Sequence, residues 1–244
     1  MASFEIAHKM VVKSEGGYST LEWDRGNYIC DSGGKGYEAN GTSQAGKTAK
    51  DFTCSSGSLK FVGTNWGISA PVLSDYLGRT PTVSDMKNLS FTTAKSIFKK
   101  SFWDKINGDG IKNQSVANML YDSIVQSSGM TKSILNKTFS QLNVSSVSSL
   151  SSSDTLAKIN KANPEKLFET FKVNRIQAYK DAGQTWGIKR TGDIVFEFVK
   201  AHPLATAVGF FAFALAVTTV AYWYNNRDKI NLKEMVSGNR LELS

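Results

Sequence analysis

Glu15 is the first residue whose type and place suggest chemistry; it lies in the stretch VVKSEGGYST, residues 11–20. Phe4, Ala7 and Val11, joined by Ile6 and Met10, recur at helical spacing, which predicts an amphipathic helix over residues 3–14. Ser3 can cap its start, and Gly16 can take the left-handed conformation that ends a helix. Glu15 then sits near the negative pole of the helix dipole, which favours its protonated form. Shielding by Tyr18 and nearby aromatics would push the same way through desolvation. Glycosidic cleavage needs a general acid that holds its proton near neutral pH. A surface glutamate closing a first helix is the plainer reading of the local pattern alone, so residues further along must decide.

Downstream stand Asp31-Ser32-Gly33-Gly34 and Thr64-Asn65-Trp66-Gly67-Ile68-Ser69. They are followed by Phe102-Trp103-Asp104 and by an aliphatic stretch from Val116 to Val125 around Asp122. With Glu15-Gly16-Gly17-Tyr18, this order resembles the glycoside hydrolase 108 family, phage and bacterial peptidoglycan-degrading enzymes of lysozyme-like fold. That family's signature runs roughly E-G-G-Y, D-P-G-G, T-N-x-G-I-T. The resemblance spans residues 1 to about 190 and implies that Glu15 is the catalytic acid. It makes Asp31 the first candidate for a second carboxylate, with Glu22 and Asp24 of the same loop in reserve. It also implies that Thr64, Asn65 and Trp66 belong to a substrate site. Tyr18, Trp66 and Trp103 offer faces on which sugar rings can stack, although aromatics beside helices more often join the core.

The sequence departs from that signature in four places. Residues 35–63 intervene where the family joins its second and third motifs almost directly, and Ser32 replaces the usual proline. Gln126 stands where the family often has asparagine, and Gly129 falls one place late. The insertion is expected to reshape the cleft.

If a second carboxylate reaches the cleft, the implied reaction is hydrolysis of the MurNAc–GlcNAc backbone by an N-acetylmuramidase. If none does, a lytic transglycosylase uses the same glutamate, because the muramic acid's own hydroxyl attacks instead of water. A reading of another class is an inactive, membrane-anchored wall-binding or structural virion protein. The intact Glu15-Gly16-Gly17-Tyr18 stretch argues against it.

The formal charge of +8 points to an anionic partner. No basic cluster interleaved with aromatics and no recognition-helix signature is present, so nucleic acid is not expected; a wall polymer is. No cofactor is implied. His8 and His202 lie at opposite ends of the chain, and two cysteines are too few for a zinc site. Cys30 and Cys54 bracket most of the Gly- and Ser-rich insertion, where a disulfide would clamp a segment with little apolar content. Two free thiols are the alternative.

Two further motifs are judged by context. Gly41-Thr42-Ser43-Gln44-Ala45-Gly46-Lys47-Thr48 fits the phosphate-binding loop pattern, but neither a buried strand before it nor a helix after it can be read. Asp104-Lys105-Ile106-Asn107-Gly108-Asp109-Gly110 hints at calcium but lacks an acceptor at its third position and the distal glutamate, so it reads as a turn.

The elements that must position these residues are mainly helical. Residues 1–129 read as a lysozyme-like helical catalytic domain, with a loop-rich face from Ser19 to Gly63 that includes the insertion at 35–63. Ala70–Leu77 and Thr92–Trp103 read as short helices, and Met130–Leu142 resumes helical spacing. The serine-rich run at 143–154 reads as a loop or poorly ordered connector. Pro164 opens a helix with Leu167, Phe168, Phe171, Val173, Ile176 and Tyr179 on or near its apolar face. Residues 130–192 form a small helical accessory module. It resembles the peptidoglycan-binding-like module that follows this catalytic domain in many family members, and a helical buttress is the plainer reading.

Residues 203–223 are 21 residues without a charge, PLATAVGFFAFALAVTTVAYW. At about 1.5 Å per residue they match the ~30 Å hydrocarbon core. Residues 203–224 are therefore expected to be a transmembrane helix contacting a lipid bilayer, with 225–244 as a polar tail. Basic residues balance on its flanks (Lys189, Arg190, Lys200; Arg227, Lys229, Lys233), so charge does not set its orientation. The N-terminal stretch has no signal-peptide pattern. The expected location is a phage virion's internal membrane, or a host inner membrane with the catalytic lobe acting on the periplasmic wall.

Overall fold

A computed structural model of the chain describes residues 1–12, 17–22, 24–31, 38–39, 52–54, 56–183, 187–188, 190–192 and 194–195. Residues 1–187 cluster as one compact unit and 188–244 as a second. The helices α1–α8 and strands β1–β4 all belong to the first.

Helix α1 (Phe4–Val12) is the expected first helix. Its start is tied down at two points. Ala2 N–H donates to the Ile111 carbonyl (2.7 Å), and Ser3 N–H donates to Gln114 Oε1 (2.6 Å), whose amide donates back to the Ser3 carbonyl (3.1 Å). Phe4, Ala7 and Val11 are buried, whereas Ile6 points outward, leaving a narrower apolar stripe than the sequence suggested. His8 lies in this core, stacked on Phe4 at 4.9 Å, with Nδ1 3.0 Å from the Tyr121 hydroxyl. Burial, assisted by the Lys95 charge, lowers its pKa to about 4, so near neutral pH it is an uncharged framework residue.

The loop-rich face holds short strands that the sequence did not reveal. β1 (Tyr28–Cys30) pairs antiparallel with β4 (Leu59–Phe61), placing Tyr28 opposite Phe61 and Cys30 opposite Leu59. β2 (Glu38–Ala39) pairs with β3 (Phe52–Thr53). Such two- and three-residue strands fall below the length at which alternation can be read. Cys30 and Cys54 are joined in a disulfide with a Cα–Cα distance of 5.8 Å. Closing a loop of this size restricts the unfolded chain by about 3 kcal/mol.

Three helices follow. α2 (Ala70–Leu77) has proline in its first turn and ends at Gly78, whose φ of 70° needs glycine. α3 (Val83–Lys87) is held by a capping box between Thr82 and Asp85, which also takes a two-pronged ion pair from Arg79. α4 (Phe91–Phe98) gives way to a π-helical turn at Lys99–Trp103, so the helix expected over 92–103 is divided. The residues that hinted at calcium form two 3₁₀ turns, Asp104–Ile106 and Gly108–Gly110, joined at Asn107.

α5 (Gln114–Gln126) runs through the core. α6 (Ser128–Gln141) and α8 (Pro164–Asp181) pack on each other and on α5, while α7 (Ser153–Lys161) packs on α8. The serine-rich run before α7 is a loop, the first of the two forms expected for it. Val147 is buried and exchanges two hydrogen bonds with the Asn136 amide, and Ser152 caps α7. On α8, Leu167, Phe168, Phe171 and Tyr179 are buried as expected, but Val173 is exposed and Arg175 is fully enclosed. Arg175 Nη2 donates to Asp122 Oδ2 of α5 at 2.5 Å and lies 3.2 Å from the Tyr179 hydroxyl. This charged link ties α8 into the same compact unit as α5.

The span expected at 203–224, the tail at 225–244 and the phosphate-loop-like stretch at 41–48 lie outside the described residues. Among the described residues, no helix is long and apolar enough to cross a membrane.

Candidate active site

Glu15 itself lies outside the described residues, but the chain on both sides of it is anchored. Before it runs α1. After it, Ser19 forms an antiparallel bridge with Thr64, with Ser19 N–H to Thr64 C=O at 2.7 Å and the reciprocal bond at 3.3 Å. The Tyr18 hydroxyl donates to the Val62 carbonyl at 3.1 Å. The chain at Tyr18 and Ser19 is thus stitched to the Thr64–Ser69 motif and the strand before it.

That motif is a tight turn. Asn65 and Ile68 pair across it, and both central residues have positive φ, 52° at Trp66 and 74° at Gly67. A tryptophan in the left-handed region is uncommon, and side-chain anchors hold the turn. The buried Asn65 amide donates to the Met86 carbonyl (2.9 Å), and Trp66 Nε1 donates to the Leu89 carbonyl (2.9 Å). Pinned to the end of α3 in this way, the turn sends Thr64 and Ser69 to the edge of a cleft of ≈ 530 Å³.

Four chain segments line this cleft: Asp24 and Gly26; Thr64 to Val72; Ser101 to Lys105; and the α5–α6 junction at Ile124–Ser128. Asp24 Oδ1 accepts from Gly26 N–H at 2.8 Å and so caps the short 3₁₀ turn Arg25–Asn27. Gly26 is hemmed in. A Cβ there would lie 3.1 Å from Asp24 Oδ1 and 3.7 Å from Thr64 Oγ1, so both oxygens converge on one spot. Thr64 Oγ1 is buried and has no hydrogen-bond partner among the described residues. An unmet hydroxyl costs about 1–3 kcal/mol, a cost tolerated most readily where function needs a polar group.

The other residues singled out from the sequence are placed differently. Asp31 does not line this cleft. It accepts from Ser58 N–H at 2.7 Å and pairs with Lys60 at 3.4 Å. The Ser58 bond first, and the lysine after it, hold its pKa below the usual carboxylate value; its visible work is at the end of the β1–β4 ladder. Tyr18 lies against the backbone of Gly63, where an added Cβ would meet its ring at 2.5 Å. Trp66 is partly exposed, edge-on to Phe91. Trp103 is corrected to a core residue. It is 0% exposed, packs against Phe4 and Tyr121, covers Gly108 and donates Nε1–H to Asp109 at 2.8 Å, so no face is open to a sugar. Of the substrate-site residues expected from the sequence, Thr64 alone lines the cleft. Ser101, Lys105, Gln126 and Ser127 also line it and were not foreseen as site residues, because single polar residues at helix junctions carry no spacing signal. Among the described residues, no cluster of side chains could hold a metal ion.

Residues 8–128 match the family Glycosyl hydrolase 108, which covers every segment of this cleft. Among solved structures, the one described as "Structure of Brucella abortus SagA" matches with a TM-score of 0.56 at 19% identity, covering 83% of this chain and 97% of that one. At that identity the likeness shows the fold alone. The mainly helical unit is consistent with a lysozyme-like domain. No curated protein matches the chain.

Proposed function

We propose that this chain, a glycoside hydrolase with a glycosyl hydrolase 108 domain at residues 8–128, hydrolyses the MurNAc–GlcNAc backbone of peptidoglycan as an N-acetylmuramidase. Glu15 gives its proton to the glycosidic oxygen, and the C1–O bond breaks with positive charge developing on the sugar. Asp24, rather than Asp31, supplies the second carboxylate that steers this charge and the incoming water. The observation that carries this reading is the convergence of Asp24 and Thr64 on one cleft, in the segment hydrogen-bonded to the stretch after Glu15. A carboxylate in the cleft favours hydrolysis over the transglycosylase route, which needs only one acid.

Asp24→Asn keeps the acceptor for Gly26 N–H and so preserves the turn. It is expected to lower the rate of reducing-end release from purified sacculi by about 10²-fold or more. Asp31→Asn should stay within a few-fold of wild type. The reverse pattern would return the role to Asp31.

The uncharged run at 203–223 supports anchoring of the enzyme in a bilayer. A virion's internal membrane fits better than a host membrane, because an anchor serves a packaged enzyme and hinders a freely diffusing one. The full chain should then remain with membranes through alkaline and high-salt washes and leave only with detergent. Release by alkali would rule the span out.

A further inference from the structure

Resting on that reading, we infer that Lys105 is a specificity residue that binds a carboxylate of the peptidoglycan strand beside the scissile bond. Among the described residues lining the cleft, Lys105 is the one cation and Asp24 the one anion. None of the ion pairs among the described residues includes Lys105. Its acidic neighbours are taken. Lys99 holds Asp104 at 2.7 Å and Asp109 at 3.1 Å, and Asp109 also accepts the Trp103 indole N–H. Lys99 thus engages both of these local acids, and neither is paired with Lys105.

The base of the side chain is fixed. Lys105 sits in a 3₁₀ turn between Trp103 and Ile106, which are 0% and 2% exposed, so its Cα is held while the exposed lysine itself lines the cleft. The flexible stem of a lysine on a fixed base suits a ligand anion that varies in position. The proposed substrate carries such anions and no cations near its sugar ring oxygens. They are the lactyl carboxylate of muramic acid where the peptide has been removed, and the stem-peptide carboxylates where it remains. Both present the same chemistry to Lys105.

Because the contact is made away from C1, it belongs to binding more than to bond breaking, and its loss should appear in KM. The experiment measures kcat and KM of the full chain and of Lys105→Ala, Lys105→Arg and Lys105→Glu. Four substrates are compared: intact sacculi, glycan strands stripped of peptides, and each of these after carbodiimide-coupled amidation. Lys105→Ala should raise KM about three- to tenfold with kcat little changed, Arg should restore it, and Glu should be worse than Ala. The difference should shrink with added salt and vanish on amidated substrate. A deficit on intact sacculi alone identifies the stem peptide as the source of the carboxylate; a deficit on stripped strands identifies the lactyl group. An unchanged KM on both, or a deficit that persists after amidation, would overturn the assignment. If the wild-type chain cleaves none of these glycans, the muramidase reading falls, and this inference with it.

Discussion

Glu15→Gln is expected to leave the fold intact and to lower wall cleavage by about 10²–10⁴-fold, the range set by general acid catalysis. Glutamine keeps the size and polarity of the side chain but has no acidic proton for the leaving oxygen. The substitution is nearly isosteric, so the melting temperature should hold. Cleavage measured as dye released from labelled sacculi, together with a thermal melt, checks both halves. Wild-type release by the variant would show that the acid is elsewhere.

The largest effect on stability is expected at Arg175. Its guanidinium is 0% exposed, and Asp122, its partner on α5, is nearly as deeply buried. Arg175→Met breaks the buried pair with Asp122 by removing one partner, a change that costs about 3–5 kcal/mol. That is a large part of the total stability of an ordinary domain. For a unit of this size the melting temperature should fall by roughly 10 °C or more. The double change Asp122→Leu with Arg175→Met removes both charges together and should recover most of the loss. If the single variant melts within a degree or two of wild type, the pair does not hold α8 to α5. If the double variant is no better than the single, the damage is one of packing rather than of charge.

The same pair shows where the sequence stops being legible. The helix beginning at Pro164 can be read from its apolar spacing, and Leu167, Phe168 and Phe171 do face inward. Nothing in that spacing marks a buried arginine one turn before Tyr179, because its burial depends on an aspartate 53 positions away. Ala70–Leu77 was legible to its ends, since proline opens it and glycine closes it. The run to Trp103 was legible as a helix, but not as an α-helix that widens into a π-turn. The short strands were hidden because pairing between Tyr28–Cys30 and Leu59–Phe61 is a long-range choice across an insertion. At the site, the order of motifs marked Thr64, which does line the cleft. The placing of Asp24 ahead of Asp31 in the cleft follows from a turn capped by Asp24, which has no signature beyond one acid two residues before a glycine. Trp103 was an attractive sugar platform by residue type, yet the glycine at 108 lets it close into the core.

On the proposed mechanism, water directed by a cleft carboxylate cleaves the glycan bond that Glu15 protonates. Mass spectrometry of glycan fragments released by the wild-type chain in ¹⁸O-enriched water tests this most directly. Hydrolysis predicts reducing MurNAc ends that each carry one ¹⁸O atom, under conditions where the released ends do not exchange. Anhydro ends, lighter by one water and free of the label, would show that the muramic acid's own hydroxyl is the nucleophile and would contradict the account.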